Sequence, residues 1–516
     1  MSDRETPRFG EAATEHTTQL ALQEKANLRK VFRRTDMILF TVCATVGLDL
    51  IGTLAGLGLE AVVWIIVLAL CFVLPYGLLM SELGSSFPEQ GGPYEWVKLA
   101  FGRFQACIFA VLYWVTNPFW VGGALAFAAV AASSAQWGEI AGGSALDYIF
   151  KIVFVWFSII VAIVSFEKGK WIPNAGAVAR ALIVGVFTTT AIIYAIRHGV
   201  HGLAWGDLSP SMAGFLSIVP IALFAFVGFE LQANASEEMV DPQKDIPVSV
   251  ARSGVLTVLA YLLPVLGVLF VLPGQAVEGL DGLVKAAGTA YSDVWGGASG
   301  FMLGATVLLL IFALATSGAV WMIGSDRTLA VSAMDGSFFP FFGKFDARFG
   351  TPVRVNLLSG VAATIFTVVA TLFFTKGGAG AAAAFGVVLT IAISTTLLSY
   401  LWVFPAAYAL RKKRGEVPRI YRVGRSGNGL LLCCATVTTF FCVVGSLEAV
   451  IPGLIWKLVG EDYGSFFEAW GVSRSRFEIL TLGSLAVVFL IAVVGYLAGG
   501  KVRQQDVAVS LVHEET

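Results

Sequence analysis

Long apolar stretches alternate with short polar segments along most of the chain. Twelve of these stretches reach about 20 residues, the length that a helix needs to cross a bilayer. They lie at residues 36–58, 62–84, 104–133, 148–166, 172–196, 214–238, 251–273, 299–325, 355–374, 383–410, 428–452 and 478–499. The pattern predicts an all-α polytopic membrane protein with 12 transmembrane helices. An even number of spans places both termini on the same side of the membrane.

The distribution of basic residues supports this count and orients the chain. Of the 34 Lys and Arg residues, 26 fall on the side of the N-terminus, seven fall on the opposite side and one, Arg180, lies inside the fifth span. Cytoplasmic loops are enriched in Lys and Arg. We therefore expect an integral protein of the plasma (cytoplasmic) membrane with both termini in the cytoplasm.

Composition excludes several classes of function. The chain has 516 residues, of which 57% are hydrophobic and 13% are charged, whereas soluble domains carry about 25% charged residues. The net charge of −1 gives no indication of a nucleic-acid partner. No Cys or His spacing resembles a metal site, and no nucleophile–base set occurs in the spans. We expect no enzymatic activity, no metal and no cofactor. The expected partners are a small molecule and the lipid bilayer, and no obligate protein partner is implied.

Two similar heptapeptides lie in the middle of the first and sixth spans. Residues 44–50 read ATVGLDL and residues 225–231 read AFVGFEL, so each has a carboxylate two residues after a glycine. A charge at this depth is energetically expensive and usually functional. The pair predicts two broken helices at equivalent positions of a five-plus-five inverted repeat. A chance match, or a structural ion pair for each acid, is the competing interpretation.

This repeat gives the predicted organisation of the chain. The units are a cytoplasmic N-terminal tail at 1–35, a first five-helix repeat at 36–200, a second at 210–425, accessory helices 11 and 12 at 426–500, and a cytoplasmic C-terminal tail at 501–516.

The broken helices supply the candidate substrate site. A break frees backbone N–H and C=O groups and exposes helix ends that bind charged groups. Two acids favour a positively charged substrate group, and Arg180 is a fixed charge that could share the cavity or pair with Asp49. Either Asp49 or Glu230 could carry a proton. The predicted substrate-binding residues are Gly47, Leu48, Asp49, Gly52, Phe226, Gly228, Phe229 and Glu230, with Arg180 and Glu230 as coupling charges.

The third span contains a second candidate feature. Asn117-Pro118 interrupts it within a run of aromatic residues. Trp114, Asn117 and Trp120 could form a cavity wall that contacts an ammonium group through cation–π interactions. Apolar packing around a proline kink is the alternative.

Four further stretches resemble the amino acid–polyamine–organocation (APC) superfamily of permeases. They are SELGSSFPEQGGPYEWVKLAFGR at 81–103, EEMVDPQKDIP at 237–247, DGSFFPFFGKFDARFGTPV at 335–353, and the basic run with PRIYRV at 405–423. The resemblance covers about residues 30–425. It implies the LeuT-type fold, with ten core spans, two accessory spans and substrate between the first and sixth breaks. It also implies alternating-access transport by proton symport or exchange.

The resemblance has one match and one departure that bear on the substrate. Several members carry a lysine in the fifth span, where sodium-coupled relatives hold sodium, and Arg180 matches that position. Many members have a Gly-Ser-Gly element in the first break whose amides bind a substrate carboxylate. Here residues 47–52 read GLDLIG, and the acid would repel a carboxylate. We therefore expect a secondary active transporter of an amino acid or amine that favours cationic substrates. A nontransporting amino acid sensor or partner subunit is the alternative.

Overall fold

The structure is a computed structural model, and it describes most of the chain. The described residues are 33–88, 91–164, 171–200, 205–234, 236, 239–272, 282–376, 381–424 and 427–504. The predicted tails fall largely outside them, at 1–32 and 505–516.

Twelve helical segments in the described residues are long and apolar enough to cross a membrane, which confirms the predicted number of spans. We refer to them as the first to twelfth spans. Their bounds are Arg34–Ala55, Leu59–Ser86, Arg103–Trp137, Ala145–Val164, Trp171–His198, Met212–Asn234, Pro242–Val271, Ser299–Met334, Val353–Lys376, Ala381–Lys413, Gly429–Val450 and Arg474–Ala498.

Two additional helices were not predicted by the apolar pattern because they are too short to span. The helix Gly92–Phe101 lies between the second and third spans, and its Tyr94 hydroxyl donates to Asp335 at the end of the eighth span over 2.8 Å. The helix Gly282–Trp295 precedes the eighth span and packs against the fifth, seventh and eighth spans.

The spans pack in two groups that match the predicted repeat. The first, second, sixth and seventh spans contact one another, and so do the third, fourth, eighth and ninth spans. The two groups meet where the first span packs on the eighth. One group contains the first two spans of each half, and the other contains the third and fourth spans of each half, as five-plus-five symmetry requires. The eleventh span packs on the sixth and tenth, and the twelfth packs on the third and tenth. The residue limits assigned to the two repeats stay a prediction.

Both predicted breaks are present. The first span leaves the helical conformation at Val46 and resumes with a 3₁₀ turn, Leu48–Leu50. The sixth span stops at Phe226 and resumes at Leu231. Gly228 has a φ of +124°, and a Cβ atom there would lie 2.9 Å from the Thr45 side chain. Glycine is therefore required both for the backbone turn and for the close approach of the two breaks.

The third span is interrupted one turn later than the sequence predicts. Pro118 lies inside the helix Arg103–Phe119, and a π-helical segment follows at Trp120–Leu125. Proline removes one backbone hydrogen bond, and a wide turn is one way in which a helix accommodates that loss. This wide turn begins at Trp120, whose side chain faces the two breaks.

A buried carboxylate joins the second and tenth spans on the side of the N-terminus. Glu82 accepts hydrogen bonds from both Arg411 Nε and Arg411 Nη2, and from the Val423 amide at 2.7 Å. Arg419 Nε lies 3.3 Å from its other oxygen. The side chains of Glu82 and Arg411 are each only 4% exposed. One acid therefore fixes the loop that follows the tenth span.

We predict that Glu82→Gln lowers the thermal unfolding midpoint of the purified protein markedly. The change leaves Arg411 buried without its counter-ion, and breaking such a pair costs about 3–5 kcal/mol. Glu416→Gln is the matched control, because Glu416 is 60% exposed and lies 3.9 Å from Arg414. Equal midpoints for the two variants would contradict this assignment.

Candidate functional site

The backbone carbonyls at the first break are already occupied by side chains from other spans. The carbonyl oxygens of the three residues that end the first half-helix each accept a hydrogen bond. The donors are Trp321 Nε1 and Ser317 Oγ to Ala44 at 2.9 and 3.2 Å, the Tyr261 hydroxyl to Thr45 at 2.9 Å, and Arg180 Nε to Val46 at 2.9 Å. Tyr261 also accepts from the Gly47 amide at 2.7 Å. Each of these carbonyls therefore already has a hydrogen-bond partner, which leaves it less free to bind a cation.

The side chain of Asp49, unlike these carbonyls, has no hydrogen-bond partner among the described residues. Its side chain is buried, at 4% exposure, and neither carboxylate oxygen accepts a hydrogen bond within the described part of the chain. The carboxylate lies directly against Gly47, where a Cβ atom would come within 3.0 Å of Oδ1. The Trp120 indole N–H and the Asp49 amide are near it but do not have hydrogen-bond geometry. Among the carbonyls and the acid of this break, Asp49 is the acceptor left unpaired.

A narrow cavity beside Asp49 separates the two breaks. Its volume is about 10 Å³, which is room for about one water molecule. It is lined by Ala44, Thr45, Gly47, Leu50, Trp120, Phe224, Ala225, Val227, Tyr261 and Trp321, and the Asp49 carboxylate lies against the lining residue Gly47. The ring of Trp120 lies edge-on to Phe224 and to Trp321, with centroid distances of 5.7 and 6.3 Å. Four aromatic rings and one adjacent carboxylate form a typical recognition site for an ammonium group.

Glu230 is equally buried but has hydrogen-bond partners on both oxygens. Tyr113 donates to Oε1 over 2.6 Å, and the Tyr76 hydroxyl donates to Oε2. The Tyr76 oxygen in turn accepts the amides of Gly228 and Phe229, each at 3.0 Å. The two acids, which are alike in sequence, therefore have opposite environments. Glu230 fixes the sixth break to the second and third spans and does not line the cavity.

The side chain of Arg180 contacts the backbone of the first break. Its guanidinium donates to the carbonyls of Val46, Gly176 and Ala313, at 2.9, 2.9 and 2.5 Å. It is 1% exposed, and none of the ion pairs in the described residues joins it to Asp49. Arg180 therefore connects the first, fifth and eighth spans through their carbonyls, and its pairing with Asp49, one of the two alternatives left open by the sequence, is not seen in this structure.

The other predicted residues are partly brought together. Gly47 and Trp120 line the cavity, and Phe226 packs edge-on against Tyr261 at 5.8 Å. The prediction that Trp114 forms a cavity wall is wrong, because its indole donates to Ser359 of the ninth span over 2.8 Å. The remaining predicted residues are buried near the breaks but are not in the cavity lining: Leu48, Gly52, Asn117, Gly228 and Phe229.

Several residues of this region were not identified from the sequence. Tyr76, Tyr113 and Tyr261 hold the two breaks, and Trp321 lines the cavity. Each is a single aromatic residue in a long apolar span, and no motif separates it from the other aromatic residues of the chain. Within the described residues, no group of three or more His, Cys, Asp or Glu could hold a metal ion.

Comparison with solved structures identifies the arrangement of the spans. A manganese transporter from Eremococcus coleocola superposes with a TM-score of 0.56 at 13% sequence identity, covering 91% of this chain and 94% of that chain. At this level of identity the likeness concerns the fold alone. It confirms the expected LeuT-type arrangement of the spans.

Curated relatives align over most of their length. The probable agmatine/putrescine antiporter AguD of Lactococcus lactis is 26% identical over 89% of this chain and 95% of its own length. An uncharacterized transporter of Legionella pneumophila is 28% identical over 82% of this chain and 90% of its own. A cadaverine/lysine antiporter of Escherichia coli is 26% identical over 75% of this chain and 82% of its own.

The family assignment rests on a match that extends from the start of the first span to the loop after the eleventh. The sequence profile described as amino acid permease matches residues 33–459. The chain therefore belongs to the amino acid permease family, within the APC superfamily that its motifs resemble.

Proposed function

We propose that the protein is an antiporter of organic amines, and that Asp49 binds the ammonium group of its substrate. The observation that carries this proposal is the buried carboxylate of Asp49, which has no hydrogen-bond partner among the described residues and lies beside an aromatic cavity. A buried carboxylate is stable only when a counter-charge or a proton neutralises it. An ammonium group in the cavity would contact the acid on one side and the rings of Trp120 and Trp321 on the other.

The occupied backbone favours an amine over an α-amino acid. A substrate carboxylate would be repelled by Asp49, which stands where related permeases place amides. The carbonyls that could also bind an ammonium already accept hydrogen bonds from Trp321, Tyr261 and Arg180. The relatives named as antiporters of agmatine, putrescine and cadaverine support this choice of substrate class. Lysine, named with cadaverine, carries a carboxylate, and we expect it to bind more weakly here.

Charge balance explains why exchange is the favoured mechanism. When the amine leaves, the carboxylate of Asp49 is again unpaired at membrane depth, where an isolated charge costs several kcal/mol. The return of the empty carrier is therefore slow unless a second cation or a proton occupies the acid. An ammonium group of a second amine pairs with the acid again directly, which couples entry of one amine to exit of another.

Glu230 has a positioning role in this proposal. Its oxygens are held by Tyr76 and Tyr113, and Tyr76 holds the amides of the sixth break. Movement of the second half of the sixth span must rearrange these bonds. Glu230 thus controls the rate at which the site opens and closes, while Asp49 determines what is bound.

We also propose that the protein lies in the plasma membrane with both termini in the cytoplasm. The support for this topology is the placement of 26 of the 34 Lys and Arg residues on the side of the N-terminus.

We predict that Asp49→Asn weakens putrescine binding by roughly 30-fold or more and abolishes exchange in proteoliposomes. Removal of one member of a buried, hydrogen-bonded charge pair costs about 2–5 kcal/mol. Binding is measured by thermal stabilisation of the purified protein, and exchange by release of preloaded radiolabelled putrescine.

Asp326→Asn is the matched control for this experiment. Asp326 is also buried inside a span, at 0% exposure, but its oxygens accept from Asn356 and Ser359, both at 2.6 Å, and it is not near the cavity. The control should bind putrescine as the wild-type protein does. Wild-type binding by folded Asp49→Asn would refute the assigned role of Asp49.

We predict that Glu230→Gln reduces the maximum exchange rate tenfold or more while the affinity for putrescine changes little. Hydrogen bonds to a charged group are worth about 1.5–3 kcal/mol, and the amide cannot accept from both tyrosines. Tyr76→Phe should slow exchange more than Tyr113→Phe, because only Tyr76 also holds two backbone amides. A loss of binding as large as that of Asp49→Asn would show that Glu230 contacts the substrate directly.

A further inference from the structure

A second, larger cavity faces the membrane between the second and seventh spans. This groove has a volume of about 370 Å³, and most of its surface is apolar. Its outer edges include Leu74 and Val255, which are 56% and 62% exposed. The lining is Ala69, Val73, Leu74, Gly77, Leu78, Ser81, Phe229, Pro247, Val250, Ala251, Gly254, Val255, Val258, Leu259 and Tyr421.

The floor of the groove reaches the back of the sixth break. Gly77 and Gly254 leave the space between the two spans open, and a Cβ atom on Gly254 would lie 3.6 Å from the Phe229 ring. Phe229 is 1% exposed, and its ring packs on Tyr76 with a centroid distance of 5.0 Å. Tyr76 is the residue that binds Glu230. A molecule in the groove therefore contacts Phe229, which packs on Tyr76, the residue that binds Glu230.

One end of the groove has polar lining residues, and exposed arginines are adjacent in sequence to residues of the lining. Ser81, Pro247 and Tyr421 line this end, which is on the side of the N-terminus. The segment 411–425 contains seven Lys and Arg residues and a single acid, Glu416. Arg422, next to Tyr421, is exposed, and so is Arg252, next to the lining residue Ala251. The nearby acid Glu82 is already bound by Arg411 and Arg419.

We propose that this groove is a binding site for one anionic phospholipid. An acyl chain lies along the two glycines and contacts Phe229, and the phosphate is held near Tyr421 by Arg252 and Arg422. An acyl chain matches an apolar groove at membrane depth, and the anionic headgroup matches the exposed arginines near the polar end. Each basic residue at a membrane surface is worth about 1 kcal/mol of attraction to anionic lipid.

Such a lipid would influence the transport cycle as well as the surface of the protein. A chain packed on Phe229 supports the ring that holds Tyr76 in place, and so supports the hydrogen bonds of the sixth break. The bound lipid should therefore stabilise the break in the arrangement seen in this structure. This inference concerns a site separate from the cavity and does not depend on the identity of the transported amine.

The test uses the full-length protein in lipid nanodiscs with a trace of photoactivatable lipid. The lipid carries a diazirine in its acyl chain and either a phosphatidylglycerol or a phosphatidylcholine headgroup. After illumination, the labelled peptides are mapped by mass spectrometry. We expect phosphatidylglycerol to label the groove-facing residues of the second and seventh spans preferentially. Arg252→Gln and Arg422→Gln should each reduce that preference by roughly fivefold.

Gly254→Leu fills the groove and should remove this labelling. The matched control is Gly185→Leu, because Gly185 is an exposed glycine of the fifth span with no atom near its Cβ position, and it should label as the wild type does. If Gly254→Leu does not fold, the two exposed arginine variants still decide the question. Equal labelling by both lipids, or unchanged labelling in Gly254→Leu, would overturn the proposal.

Discussion

A carboxylate held in the middle of a membrane without a counter-ion is the constraint on which this structure depends. Such a charge costs several kcal/mol unless a cation or a proton meets it. Asp49 is buried in this way, while Trp321, Tyr261 and Arg180 donate hydrogen bonds to the backbone carbonyls around it. The first break is therefore organised around one unpaired negative charge. The proposed preference for amines and the proposed exchange mechanism both rest on it.

The second constraint is that the two similar acids have different surroundings. Glu230 is held by tyrosine hydroxyls from two other spans, and this ties the sixth break to its neighbours. We therefore propose that Asp49 binds the substrate and that Glu230 controls the movement of the sixth break. The membrane-facing groove adds a third element, because Phe229 separates its floor from Tyr76. The cavity, the positioning acid and the proposed lipid site thus lie along one continuous set of contacts.

Much of the fold could be predicted from the sequence because membrane insertion depends on apolar length and on basic loops. Those patterns gave the 12 spans, and the twin motif gave both breaks. Side-chain partners could not be predicted in the same way, since burial in a span does not tell which neighbour a residue faces. Trp114 and Trp120 are six positions apart in one span, yet the π-helical turn directs only Trp120 to the cavity. For the same reason the sequence did not distinguish unpaired Asp49 from hydrogen-bonded Glu230.

The most direct test of the central claim is a binding series in which the net charge of the ligand falls from two positive charges to zero. Thermal stabilisation of the wild-type protein is measured with putrescine, agmatine, lysine and norleucine at the same pH. Because bound ligand raises apparent stability by mass action, the shifts rank the affinities. An unpaired Asp49 predicts large shifts with putrescine and agmatine, a smaller shift with lysine and none with norleucine. Stabilisation by norleucine without stabilisation by either diamine-like cation would contradict the account.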